Sequence, residues 1–329
     1  MALKSLMARL LIAMTTATLA VSAAMAEPLR PLRIGYLVSG PARSVFEEQF
    51  ELGLRDNGYV PGRNVVIDYR YEILTPQGVG EIMALFVQER VDAILVSTRH
   101  AALAAKAATS KIPIIFGAAR DAIEDGLVKS LARPEANLTG QSLHVGDLST
   151  KRIQLLRDAF PGSGKFGVIW SARHPGWPGL FIAEDARKAE LSLGIELVLK
   201  AVEVPDGLEQ AFTELKNEGV AASVLVADVT TIANRGIIGD LALLHQMPLM
   251  MSNKAFLAGG SLMSYGPDIS KGFRRAARQL VRAANGTPVS ELPVEQPTRF
   301  EFVIDFGAAR RLGVDLPVSI LSRADEVID

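Results

Sequence analysis

At 329 residues, with 35 Lys and Arg against 36 Asp and Glu, the chain has no basic excess of the kind a nucleic-acid partner requires. Cysteine is absent, which excludes disulfides, thiolate metal sites and the lipid-attachment cysteine of a lipoprotein. Lys4 and Arg9 precede the apolar stretch Leu10–Val21, and Ala24-Met25-Ala26 supplies a small-x-small cleavage pattern. Residues 1–26 therefore read as a signal peptide removed before Glu27. The apolar stretch is shorter than the roughly 20 residues of a membrane span, and no later run matches one. Export without lipid attachment predicts a soluble periplasmic protein. The roughly 300 residues that follow exceed what one hydrophobic core supports, so two lobes are expected.

After the signal, Leu32–Val38 is a short apolar run closed by the turn-like Ser39-Gly40-Pro41. Val45, Phe46, Phe50 and Leu54 recur at helical spacing up to Asn57-Gly58. Val65–Tyr71 alternates as a strand does, Val79–Val87 reads as a helix, Ala93–Val96 as a strand, Ala101–Ala108 as an Ala-rich helix and Ile112–Phe116 as a strand. The second half repeats the order. Strands are expected at Phe166–Trp170, Ile195–Val204, Ser223–Ala227 and Met247–Met251, with helices at Leu180–Leu193, Leu208–Lys216 and Ile232–Leu244 between them. Lys111-Ile112-Pro113-Ile114-Ile115 is echoed by Gln246-Met247-Pro248-Leu249-Met250. Strands alternating with helices predict parallel sheets covered on both faces, here in two similar open α/β lobes. Ligands of such sheets bind beyond the carboxyl ends of the strands, so two facing lobes enclose one cleft that closes by hinge motion.

Several motif-like runs carry no chemistry in this context. Gly162-Ser163-Gly164-Lys165-Phe166-Gly167 matches GxGxxG by letter, but a helix precedes it and a strand follows, the reverse of a dinucleotide site. Phe166 stands where a phosphate loop needs Ser or Thr, so the run reads as a turn. His100, His144, His174 and His245 share no metal-ligand spacing, and no metal or other cofactor is expected. Ser264 lacks the first glycine of a hydrolase nucleophile elbow. The basic row Arg274, Arg275, Arg278 and Arg282 reads as a solvated helix face. A secreted α/β enzyme is thus the weaker alternative, and the signal segment argues against a cytoplasmic repressor core of similar fold.

From Lys111 onward the wording is specific. KIPIIFGAARDAIEDGLVKSLARPEANLTGQS, STKRIQLLRDAFPG, GGSLMSYGPDISKGFRRAARQLVRAANG and LPVEQPTRFEFVIDFGAARRLGVDLPVSILSRADEVI resemble the ABC-transporter substrate-binding family that includes the tryptophan-binding TrpX-type proteins. The resemblance implies a type I periplasmic-binding fold with three crossovers, expected near Leu138–Gly140, Ser261–Met263 and Gln296–Thr298. The first lobe would then hold residues 33–139 and 262–296, and the second 140–261 and 297–329. It also implies a monomer that captures a small solute, an amino acid or related organic anion, and docks transiently on the membrane permease of an ABC importer. A periplasmic sensor component that presents its ligand to a receptor is the alternative. Relatives often carry Gly-Asp-Pro after the fourth strand, where this chain has Arg120-Asp121-Ala122. A guanidinium at the cleft rim changes which charge the site accepts.

Candidate ligand contacts are the strand ends. In the first lobe these are Ser39 and Gly40 after the first strand, Ser97 and Thr98 after the third, and Ala118, Arg120 and Asp121 after the fourth. Hydroxyls and free N–H groups at the helix start after Ser97-Thr98 suit a carboxylate, though simple N-capping accounts for them equally. Arg120 can reach an anion or pair with Asp121 or Glu124. In the second lobe, Trp170 and Ser171 close one strand and Asp228 another. Asp228 can accept a ligand ammonium or cap its own helix, and Trp170 can stack on the ligand or on its neighbours. Asn253 and Tyr265 complete the set as polar groups near the crossing.

Overall fold

The computed structural model describes residues 30–39, 43–72, 76–134, 136–143, 146–172 and 179–329. The expected signal segment with its cleavage site, Gly40, His144 and His174 lie outside the described residues. The first lobe is built from β1 (Leu32–Ser39), α1 (Val45–Asp56), β2 (Val65–Glu72), α2 (Pro76–Gln88), β3 (Ala93–Val96), α3 (Arg99–Ala108), β4 (Ile114–Ala119) and β5 (Leu138–Ser142). Its strands run in the order β2-β1-β3-β4-β5, and every pairing is parallel. Burial on both faces explains the apolar runs: Ala93–Val96 is buried at all four positions. One face packs Phe86, Ile94, Phe116 and Leu138, and the other packs Tyr36, Phe50, Leu95 and Phe273.

The second lobe follows with α4 (Gly146–Ala159), β6 (Lys165–Ser171), α5 (Gly179–Leu193), β7 (Glu196–Val202), α6 (Leu208–Asn217), β8 (Ser223–Leu225), α7 (Val229–Ala233), α8 (Arg235–Leu244), β9 (Leu249–Met251) and β10 (Ser261–Gly266). The chain then returns to the first lobe as α9 (Ile269–Ala284), which packs on α1, β4 and β5. It finishes in the second lobe as β11 (Glu301–Asp305), α10 (Phe306–Leu312), α11 (Val318–Leu321) and β12 (Glu326–Ile328). The second sheet has the order β12-β11-β10-β9-β8-β6-β7 and is parallel except where β10 meets β11. The molecule is therefore the two-lobed α/β fold that the alternation of elements predicts.

Sheet membership moves two of the expected crossings. β5 pairs with β4 over Leu138–Ser142, so the chain leaves the first lobe after Ser142 and not at Leu138–Gly140. β10 pairs with β9 and β11, so residues 262–266 belong to the second sheet and the return follows Gly266 and not Ser261–Met263. Near the third crossing, the Glu295 amide donates to the Gly140 carbonyl in the first lobe, and β11 begins at Glu301 in the second. The helix expected over Ile232–Leu244 is two, α7 and α8, broken at Asn234, which ends one and begins the other. Gly162-Ser163-Gly164 lies in the turn from α4 to β6. The basic row on α9 faces outward and pairs with acids: Arg274 with Asp56 at 2.6 Å, Arg278 with Glu295 at 2.7 Å.

Candidate functional site

In both sheets the carboxyl ends of the parallel strands carry the side chains singled out in the sequence. In the first lobe most of these already have protein partners. Ser97 Oγ donates to the Leu37 carbonyl at 3.3 Å. Thr98 is the N-cap of α3, and its Oγ1 accepts the Ala101 amide at 3.3 Å. β4 runs on to Ala119, so Ala118 is a strand residue packed against the core and not part of the following loop. Arg120 donates to Glu124 Oε2 at 2.8 Å, and its Nε lies 3.7 Å from Asp125 Oδ1. Asp125 is buried, which pushes its carboxyl up, against the opposing charges of Arg120 and Arg99. Asp121 Oδ1 accepts the Ile123 and Glu124 amides and starts the turn behind Arg120. Ser39 is the last residue of β1.

The second lobe gathers buried polar atoms without partners near its strand ends, while the first lobe has one such ring nitrogen, His100 Nε2, in the first turn of α3. The register sets Ile169 beside Leu225, Val224 beside Met250, and Met251 beside Ser264. Continued to the strand ends, it brings Ser171, Ala227 and Asn253 to one level across β6, β8 and β9. One residue below come Trp170, Val226, Ser252 and Tyr265. Among the described residues of this lobe, Ser171 Oγ, Ser252 Oγ and Asn253 Nδ2 at the strand ends are buried with no hydrogen-bond partner, as are Ser261 Oγ and Ser264 Oγ within β10. Such orphans are costly in a finished core and are expected where something else supplies the partner. Asn253 Oδ1 accepts the Ala255 amide at 2.9 Å, which fixes the orientation of the amide group.

Asp228, buried at the end of β8, caps α7: Oδ1 accepts the Thr231 amide at 2.7 Å, and Thr231 Oγ1 accepts the Asp228 amide at 2.8 Å. Trp170 and Tyr265 are half-buried against the same core, and the Tyr265 ring stacks on Phe300 at 6.3 Å. Sequence reasoning missed Arg152. This α4 residue is buried; its Nε donates to the Tyr265 carbonyl at 2.8 Å and its Nη2 to the Ser252 carbonyl at 3.2 Å. Burial lowers the guanidinium to about 10, which leaves it cationic at neutral pH. A signal was present: Arg152 sits four residues after Leu148 and three before Leu155, on the stripe that α4 buries. Ser252, the other omission, adjoins the predicted strand Met247–Met251 but carries no distinguishing residue type.

Gly266 completes this end of the sheet. A Cβ there would stand 2.0 Å from the Ser252 carbonyl oxygen and 3.1 Å from Arg152 Nη2, so only glycine lets Arg152 reach both strands.

Comparison with known proteins agrees with this architecture. A 272-residue stretch is 26% identical to the tyrosine-binding protein of Clostridioides difficile (strain R20291), covering 83% of this chain and 77% of that protein. The structure of the ABC domain of Streptococcus pneumonia in complex with L-Trp superposes with a TM-score of 0.78 at 23% identity, over 91% of this chain and 100% of that one. A conserved domain protein of Vibrio cholerae gives a TM-score of 0.79 at 23% identity with the same coverage. These two likenesses establish the fold. The model of the ABC transporter substrate binding protein family matches residues 32–328, from β1 through β12, and the chain belongs to that family.

Proposed function

We propose that the protein is the solute-capturing component of an ABC importer, exported to the periplasm, which closes its lobes on a small zwitterionic or anionic solute of the amino-acid type without transforming it. The observation that carries the reading is the set of buried, unpartnered polar atoms at the strand ends of the second lobe, Ser171 Oγ, Ser252 Oγ and Asn253 Nδ2. A ligand filling the cleft would supply their missing partners, and a cleft with a few convergent polar groups is the usual design of a small-molecule site. Tyrosine and L-Trp, named for two of the relatives, are the first candidates.

A thermal-shift screen of the L-amino acids and small carboxylic acids on the purified protein tests this. A ligand at 100 times its dissociation constant adds about 2.7 kcal/mol of stability. The melting temperature should rise by several degrees for one compound class. NMR of the mixture should show the bound compound unchanged. Product accumulating in excess of protein would replace binding with catalysis as the function.

A further inference from the structure

We propose that the second lobe reads the ligand's carboxylate, through Arg152, Ser252 and Asn253. The proposal rests on the solute-capture reading above and names the chemistry of that same site. It departs from the expectation that Ser97, Thr98 and Arg120 of the first lobe hold the anionic group. There, Thr98 is engaged by the Ala101 amide, Ser97 by the Leu37 carbonyl, and Arg120 by Glu124 and Asp125.

The second lobe has the opposite balance. Arg152 is 7% exposed, and among the described residues no carboxylate lies within ion-pair distance of it. Its two backbone acceptors, Tyr265 and Ser252, pin the guanidinium between the carboxyl ends of β10 and β9 through Nε and Nη2. Nη1 has no partner among the described residues. A buried cation satisfied only by carbonyl dipoles is stabilised further by an anion. Beside it stand two donors that nothing in the described protein uses, Ser252 Oγ and Asn253 Nδ2. The Asn253 amide is oriented by the Ala255 N–H, so the side facing away from that bond donates.

Two acidic groups flank this pair of strands: Glu301 pairs with Gly266 on the β11 side, and Asp228 follows β8 on the β9 side. Asp228 Oδ1 is taken by Thr231, and Oδ2 has no partner among the described residues. Asp228 and Asn253 each cap the turn that follows neighbouring strands, so one α-amino acid would present its ammonium toward Asp228 and its carboxylate toward Asn253. The same lobe would then hold both charges of the ligand.

Calorimetry at neutral pH with six probes tests the assignment: L-tyrosine and L-tryptophan, the carboxylates 3-(4-hydroxyphenyl)propionate and indole-3-propionate, and the amines tyramine and tryptamine. Wild-type protein should bind the amines at least 100-fold more weakly than the parent amino acids. Ser252→Ala should weaken the four carboxylate-bearing probes by about tenfold, a lost charge-assisted hydrogen bond, and leave the amines unchanged. Asn253→Asp keeps the acceptor for the Ala255 amide but places an anion where the donor was. It should cost the carboxylates more than 100-fold and improve tyramine and tryptamine. Binding of parent and amine with equal affinity, or loss of all six probes alike in Asn253→Asp, would overturn the assignment while the solute-capture reading stands. No binding of any of the six to the wild type would overturn the amino-acid reading and the assignment together.

Discussion

The Asp228 carboxylate caps α7, and the recognition role proposed for it is separable from that cap by experiment. Its Oδ1 caps α7 through the Thr231 amide, a task that Asn performs about as well. Asp228→Asn should therefore leave the melting temperature of the free protein close to that of the wild type while removing the charge that faces a ligand ammonium. By calorimetry it should weaken L-tyrosine about tenfold more than 3-(4-hydroxyphenyl)propionate, which lacks the amine. Equal losses for the two ligands would reduce Asp228 to a helix cap. At this scale the sequence was informative about position and ambiguous about role. Ser97, Thr98, Trp170, Ser171 and Asp228 were all placed at strand ends because the apolar runs stop there. Whether a hydroxyl or carboxylate caps its own helix or faces the cleft depends on where its free oxygen points, and residue type does not encode that. Arg152 escaped because a cation inside an amphipathic helix ordinarily snorkels to water. Its burial depends on carbonyls from β9 and β10, roughly a hundred residues further along the chain.

Between elements of the first lobe, α1 and α9 approach closely. A Cβ on Gly53 would stand 2.4 Å from the Arg274 carbonyl oxygen and 2.7 Å from Ala277 Cβ. In an exposed helix, Gly→Ala gains about 1 kcal/mol from propensity. Here Gly53→Ala should instead cost about 1–3 kcal/mol, the usual price of overpacking, read as a lower urea midpoint at unchanged slope. A gain in stability would mean that the two helices separate freely. α1 was legible in the sequence from Val45, Phe46, Phe50 and Leu54. The parallel strands were legible because burial on both faces makes them continuous apolar runs. β5 was not, because Leu138-Thr139-Gly140-Gln141-Ser142 is fully buried yet mostly polar. Its side chains are satisfied from far along the chain: Thr139 Oγ1 donates to the Leu292 carbonyl at 2.7 Å and Gln141 Nε2 to Gln279 Oε1 at 2.9 Å. A strand whose polar groups are paired by the returning α9 segment looks like a loop when its own residues alone are read. For β10 the resemblance implies a crossing near Ser261–Met263, whereas its pairing with β9 and β11 keeps residues 261–266 in the second sheet.

For the molecule as a whole, capture of a solute requires that the lobes move as bodies and that their closed arrangement be only modestly favoured without ligand. Phe46, at the start of α1, is placed to set that balance. Its ring stacks on Phe273 of the first lobe at 5.0 Å and meets Phe256 of the second edge-on at 6.3 Å, and Ile269 likewise packs against both cores. Neither contact belongs to a sheet, so removing the ring should leave each lobe folded and alter only the cost of bringing them together. Phe46→Ala deletes an aromatic pair across the lobes, a loss of about 1 kcal/mol beyond the area it buries. Should the contact with Phe256 belong to the closed arrangement, the dissociation constant for the ligand will rise by roughly 5–30-fold, as expected for one to two kcal/mol. The bound complex should be as compact as that of the wild type by small-angle scattering, and the free protein more extended. Far-UV circular dichroism should stay the same, because no strand or helix interior is touched. An unchanged affinity together with an unchanged radius of gyration would place the balance between open and closed forms in the three chain crossings alone, with Phe46 serving only to fill space beside Phe273.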